Sequence, residues 1–160
     1  MRRATPSPDP GARPAVPAAI AVGHTTSMTY RVPPTKTVPH IYAEAAEFSS
    51  FPVVFATGFL VALVEWACTR ALHEHLEEGY GSLGVHIDLS HDAPTPPGFL
   101  VTVTATVRSI DGRRIAWDVQ AHDSVDLIAV GTHQRAVIDL SRFERHLAAK
   151  VADGPIPGTP

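Results

Sequence analysis

Glu65 is the one charged residue in an otherwise apolar stretch running from Phe55 to Cys68. A carboxylate set among such side chains loses its hydration, which costs several kcal/mol unless a partner compensates or its pKa rises. Packing alone gives no reason to keep a charge there, whereas acid–base or acyl-transfer chemistry does. Thr57 precedes Glu65 by eight positions. On a helix that separation is about 80° beyond two full turns and roughly 12 Å along the axis, so the two share a side without touching. A substrate, or a group from the sheet or a second subunit, has to sit between them. His91, at the end of the next predicted strand, is a candidate for that group, because imidazole suits proton transfer near neutral pH.

Each residue also has a plainer reading. Thr57 before Gly58 could cap or kink the start of the helix. Glu65 could be neutralised by Arg70 or another cation, and His91 in a strand-end His91-Asp92 could be a solvated turn residue. The other histidines (24, 40, 73, 75, 86, 122, 133, 146) lack a metal-ligand spacing of the His-x-x-x-His kind, so no metal is expected. Cys68 reads as a small core residue. Neither a Gly-rich phosphate loop nor a Gly-x-Ser-x-Gly elbow occurs, which argues against nucleotide-binding and α/β-hydrolase folds.

These side chains need a scaffold, and 160 residues suit a single domain. A net charge of -3 with no basic stripe excludes a typical nucleic-acid binder. The single cysteine cannot form an internal disulfide. The Pro/Ala-rich start, residues 1–23, reads as a disordered tail without core, and 151–160 as a flexible C-terminal tail, leaving 24–150 as the folded domain. The apolar run 53–64 ends at Glu65, well short of the roughly 20 residues that span a bilayer. A cytoplasmic protein away from membranes is expected.

Residues 25–32 read as a first strand, halted by Pro33-Pro34. The connection 35–52 is unusually rich in apolar and aromatic side chains (Val38, Ile41, Tyr42, Phe48, Phe51). It reads either as a lid over an apolar pocket or as a short helix packed on the core. A helix over 54–77 follows, apolar on nearly all faces and so expected to be buried, with Gly79 stopping it. Thereafter the pattern is β. Val85, Ile87 and Leu89 alternate with polar residues, 99–110 alternates again, Asp111-Gly112 signals a tight hairpin, and 113–121 and 127–140 return. One strand, one long helix and an antiparallel meander give an α+β hotdog fold, a sheet wrapped around a central helix, usually assembled as a homodimer or larger.

Several segments together resemble the fluoroacetyl-CoA thioesterase family: 32–38, Phe51-Pro52 through Phe59, Glu65-Trp66-Ala67-Cys68, Gly81-Ser82-Leu83-Gly84, and Gly131 through Val137. The likeness runs over about 24–145 in unbroken order and leaves the N-terminal tail outside. It implies a hydrolase acting on a short-chain acyl-CoA, fluoroacetyl-CoA above all, with coenzyme A entering as part of the substrate and no separate cofactor. By this resemblance Thr57, Glu65 and His91 are the catalytic set. It makes Gly84, near the acyl group, and Arg135 of the last strand substrate-binding residues, together with Val38, Ile41, Phe48 and Phe51, which form the lid over the acyl pocket.

Hydrolysis of a thioester needs an activated oxygen and a place for the oxyanion. Backbone N–H groups near Gly84 or at the helix start around Thr57-Gly58 could hold the carbonyl oxygen, helped by the helix dipole. In a fluoroacetyl substrate His91 could also take the α-proton, which fluorine acidifies. A single fluorine offers a pocket only ~1–3 kcal/mol of discrimination, so stronger selectivity would have to arise in the transition state. Three other readings compete. One is a general short-chain acyl-CoA thioesterase. Another is a hydratase, which would usually carry a histidine in the helix or the loop before it, where residues 49–71 have none. The last is a non-catalytic acyl-CoA-binding protein. Arg113 and Arg114 are candidates for the CoA phosphates.

Overall fold

A computed structural model describes residues 14–154. Five strands form one antiparallel sheet in the order β1-β3-β4-β5-β2. Strand β1 (Thr25–Arg31) leads through a long connection into the central helix, and β2 (Tyr80–Leu89) follows it. Strands β3 (Leu100–Asp111), β4 (Arg114–His122) and β5 (Leu127–Asp139) then run as a meander. Because β1 and β2 occupy opposite edges, the intervening helix has to cross the inner face of the sheet. The expected architecture of a sheet around one helix is therefore present.

Two short 3-10 turns (Pro34–Lys36 and Val38–His40) and a four-residue helix α1 (Ala46–Ser49) occupy the connection. The long helix α2 spans Thr57–His73, shorter than the expected 54–77. Ala56 before it is extended, with φ -83 and ψ 143, so the helix cannot begin earlier. Gly79 takes a φ of +88 immediately before β2, which only glycine adopts freely.

Burial of α2 is one-sided rather than all-round. Leu60, Leu63, Val64, Ala67, Cys68, Ala71 and Leu72 face the sheet. Gly58, Ala62 and Trp66 are exposed, Trp66 at 53% even though its ring meets Tyr30 edge-on. The apolar composition disguised a helix with two different faces. The facing core comprises Val101, Val103, Ala105 and Val107 of β3, with Ile115, Trp117, Val119 and Ala121 of β4. Asp111 pairs with Arg114, so Gly112 and Arg113 make the two-residue turn, one position later than expected. Gly112 at φ +56 satisfies the first central position of such a hairpin.

Strand β2 begins five residues earlier than its alternating pattern indicates and contains a bulge between Gly84 and His86. The bulge lets Ser82 and Gly84 share the inner face with Ile87 and Leu89, and Val85, expected inside, is exposed. Two further corrections concern the ends. Ile20, in the segment expected to carry no core, is buried in it. A third helix, α3 (Leu140–Asp153), extends into the expected C-terminal tail, its N-terminus capped by Asp139, which accepts from the Arg142 N–H at 3.0 Å. The remainder of the two expected tails, 1–13 and 155–160, lies outside the described residues.

Candidate active site

The predicted residues fall into two clusters on the inner face. The first stands at the start of α2, where the Phe55 N–H donates to the Thr95 carbonyl at 2.8 Å and ties the helix entrance to the segment after β2. That tie brings Thr57 Oγ1 within 2.8 Å of His91 Nδ1. Thr57 is the first helical residue, preceded by the cap position Ala56, so its hydroxyl is bonded to the imidazole rather than capping the helix. The plain reading of His91 as a solvated turn residue fails as well: its Nε2 is buried without a hydrogen-bond partner among the described residues. Burial holds the His91 pKa below its ordinary 6.5, against the opposing pull of the Asp92 carboxylate and the Ala93 backbone. The ring is accordingly a base at neutral pH.

The second cluster gathers around Glu65, two turns along α2. Its partner is not Arg70, which pairs with Glu74 at 3.5 Å, but Arg135 of β5, whose Nη1 lies 3.7 Å from Glu65 Oε1. The side chain of Arg135 is only 6% exposed and that of Glu65 is 45% exposed. Glu65 is thus neither a buried orphan nor a solvated ion: it leans on a buried cation and keeps an open side. Gly84 makes this possible, since a Cβ there would run into Glu65 Oε1 and stand 3.2 Å from His133 Cε1.

The sequence excludes His133 only as a metal ligand and assigns no role to Ser82. Both belong to this cluster. Arg135 Nε donates to Ser82 Oγ at 3.0 Å and Nη2 to the Ser82 carbonyl at 2.7 Å. The available signal was spacing: His133 and Arg135 are two apart on one strand and so share a face. Cys68 lies beneath the cluster, fully buried, and burial pushes its thiol up to about 12, which suits a core residue rather than a nucleophile.

The expected lid is an excursion over 38–54, pinned at its base. There Thr37 bridges Phe55, and the Val38 N–H donates to the Val54 carbonyl at 2.9 Å. The short helix α1 does form in it but buries no residue, so it is not packed into the core. Val38, Ile41 and Phe48 are half-buried, whereas Phe51 is 57% exposed. Tyr42 stacks on Phe48 with ring centroids 6.4 Å apart.

An open cleft of about 770 Å³ lies away from both clusters, between the β3–β4 turn and α3. Arg113 lines it together with Arg142, Phe143 and His146. Among the described residues no group of His, Cys, Asp and Glu side chains converges as a metal site would require. No helix among them is long and apolar enough to cross a membrane.

Comparison with known proteins adds to this geometry. Residues 37–141 match the family of fluoroacetyl-CoA-specific thioesterases. The fluoroacetyl-CoA thioesterase of Streptantibioticus cattleyicolor is 54% identical over 135 residues, covering 84% of this chain and 97% of that protein. A mutant of the fluoroacetyl-CoA-specific thioesterase, solved in complex with fluoroacetate and CoA, superposes with a TM-score of 0.76. Its sequence identity is 56%, over 78% of this chain and 99% of that one. A hot-dog-like protein from Thermanaerovibrio acidaminovorans, 24% identical over 86% of this chain and 96% of its own, shares the fold with a TM-score of 0.70. With the matched segment enclosing Thr57, Glu65, Gly84, His91 and Arg135, and with relatives aligned over nearly their full lengths, this chain belongs to the fluoroacetyl-CoA-specific thioesterase family.

Proposed function

We propose that this protein hydrolyses a short-chain acyl-CoA, fluoroacetyl-CoA foremost, to the free acid and CoA, with Thr57, Glu65 and His91 as its catalytic residues. The observation that carries the site is the 2.8 Å contact between Thr57 Oγ1 and His91 Nδ1. It joins a hydroxyl on the helix that presents Glu65 to a neutral imidazole from the segment after β2. Glu65 delivers the oxygen, its own or that of a water it deprotonates, to the thioester carbonyl. The carbonyl oxygen takes up negative charge near the first-turn N–H groups of α2, which point out of the helix and carry the positive end of its dipole. As the C–S bond breaks, the Thr57–His91 pair passes a proton to the leaving thiolate, giving the thiol of CoA, and recovers one from the water that is consumed, so the pair ends each turnover as it began. If Glu65 itself attacked, water then cleaves the resulting anhydride. The scheme consumes only thioester and water and calls for no cofactor or metal.

Gly84 and Arg135 confine the Glu65 carboxylate, and the excursion bearing Val38, Ile41, Phe48 and Phe51 covers the acyl group. A homodimer in the cytoplasm is part of the proposal. Strand β2 is a sheet edge with exposed Leu83 and Val85, and Ala62 and Trp66 of α2 lack a cover, which together suit pairing with a second copy. The roughly 12 Å between Thr57 and Glu65 along the helix leaves room for a substrate, or for groups of that second copy.

The test is hydrolysis of fluoroacetyl-CoA and acetyl-CoA side by side, with free thiol as the readout. Faster turnover of the fluorinated substrate is expected. Equal rates would reduce the assignment to a general short-chain thioesterase, and inactivity on both would overturn it in favour of an acyl-CoA-binding protein.

A further inference from the structure

Among the described residues Glu65 has one charged partner, and that partner is itself held by groups that no step of the reaction uses. Arg135 is buried on the inner face of β5, and its guanidinium meets three acceptors besides Glu65. Ser82 takes Nε at 3.0 Å through its hydroxyl and Nη2 at 2.7 Å through its carbonyl. His133, 1% exposed, takes Nη1 at 3.2 Å on its Nε2. The same Nη1 stands 3.7 Å from Glu65 Oε1, an ion-pair separation. A planar guanidinium gripped along two edges cannot turn, so the direction of the second Nη1–H, toward Glu65, is fixed.

His133 can accept from Arg135 only as the neutral Nδ1–H tautomer, and its surroundings select that form. Nδ1 lies 2.9 Å from the carbonyl of His86, which accepts a proton and cannot donate one. Burial lowers the His133 pKa, the His86 carbonyl opposes this, and the Arg135 charge adds to the lowering. The charged and titratable groups around the ring are Arg135 on its own strand, Glu65 on α2 and His86 on β2. Beyond the ring edge, the missing Cβ of Gly84 is what leaves room for the carboxylate.

We propose that His133 and Ser82 are positioning residues of the hydrolytic site: by locking the Arg135 guanidinium they fix where the Glu65 carboxylate stands beside Gly84. This rests on the thioesterase reading and goes beyond it by assigning a role to two side chains that the proposed reaction steps do not use.

A double-mutant cycle tests it. His133→Asn keeps a donor near the His86 carbonyl but loses the acceptor for Arg135, and should lower kcat on the order of 10–100-fold with KM little changed. His133→Gln keeps an acceptor at the Nε2 position and should stay within about threefold of wild type. In a Glu65→Gln background, His133→Asn should cost no more than about a further twofold, because its effect runs through the carboxylate. Ser82→Ala, which retains the backbone carbonyl contact, should show the same non-additivity with a smaller loss and serves if His133→Asn does not fold. Losses that multiply with Glu65→Gln, or Asn and Gln variants falling together in step with Tm, overturn the proposal. An inactive wild-type enzyme overturns the hydrolase reading and this one with it, whereas active wild type with multiplicative losses overturns this one alone.

Discussion

The wall beneath Glu65 and the excursion over 38–54 are built in opposite ways. In the wall, Ser82 of β2 and His133 and Arg135 of β5 lie on paired strands, and every polar group of the Arg135 side chain is engaged. In the excursion neither the 3-10 turn Val38–His40 nor the helix α1 buries a single residue, and Tyr42, Phe51 and Val53 are more than half exposed. On the proposed function, groups that must hold a geometry to a fraction of an ångström are mounted on rigid strands, while groups that only cover an acyl chain ride on a segment fastened at its base. The division predicts that changes in the wall act on turnover, and changes in the excursion act on which acyl group is accepted.

The largest effect is expected from the proton-transfer pair. His91→Ala should lower kcat by at least ~100-fold, the scale of losing a general acid or base. Next in size is Gly84→Ala: its new methyl group displaces the Glu65 carboxylate and should cost on the order of 10–100-fold in kcat. The edge position of Gly84 should leave Tm nearly unchanged, and a full loss of folding instead would make Gly84 a purely structural glycine. Phe51→Ala should change the ratio of kcat/KM between fluoroacetyl-CoA and acetyl-CoA by no more than the ~1–3 kcal/mol available to a pocket contact. Because Phe51 is 57% exposed, thermal denaturation should scarcely register the change. A large drop in Tm would move Phe51 from the lid into the core.

The smallest effect concerns pH. His91 must be neutral to take up the proton it shuttles through Thr57, and burial holds its pKa below 6.5, so the acidic limb of kcat/KM should fall below that value. The Asp92 carboxylate favours the imidazolium and raises the pKa, so Asp92→Asn should shift the limb to still lower pH. A limb above 6.5, or one that Asp92→Asn moves upward, would remove His91 as the titrating base.

The strand and helix order was legible because β3 and β4 alternate cleanly and polar turns separate β3, β4 and β5. Thr57, Glu65 and His91 stood out because their residue types are costly or reactive where they occur. Other features leave no such trace. The start of β2, with Gly81 and Gly84, carries no alternation, and the bulge at Val85 reverses the inward parity that the pattern Val85, Ile87, Leu89 suggests. Helix α3 followed a long strand and buries no residue, so its apolar residues Leu140, Phe143 and Leu147 did not announce a core face. Glu65 was read as buried because composition cannot tell a two-faced apolar helix from an enclosed one. Its partner Arg135 is 70 positions away in sequence, and only the β2–β5 pairing and the helix crossing bring them together.

One measurement bears most directly on the division between wall and lid: steady-state hydrolysis of fluoroacetyl-CoA and acetyl-CoA by wild type, Glu65→Gln and Phe51→Ala under the same conditions. Glu65→Gln should lose at least ~100-fold in kcat on both substrates alike, and Phe51→Ala should keep its turnover while altering the preference between them. Near-normal hydrolysis of either substrate by Glu65→Gln would contradict the account.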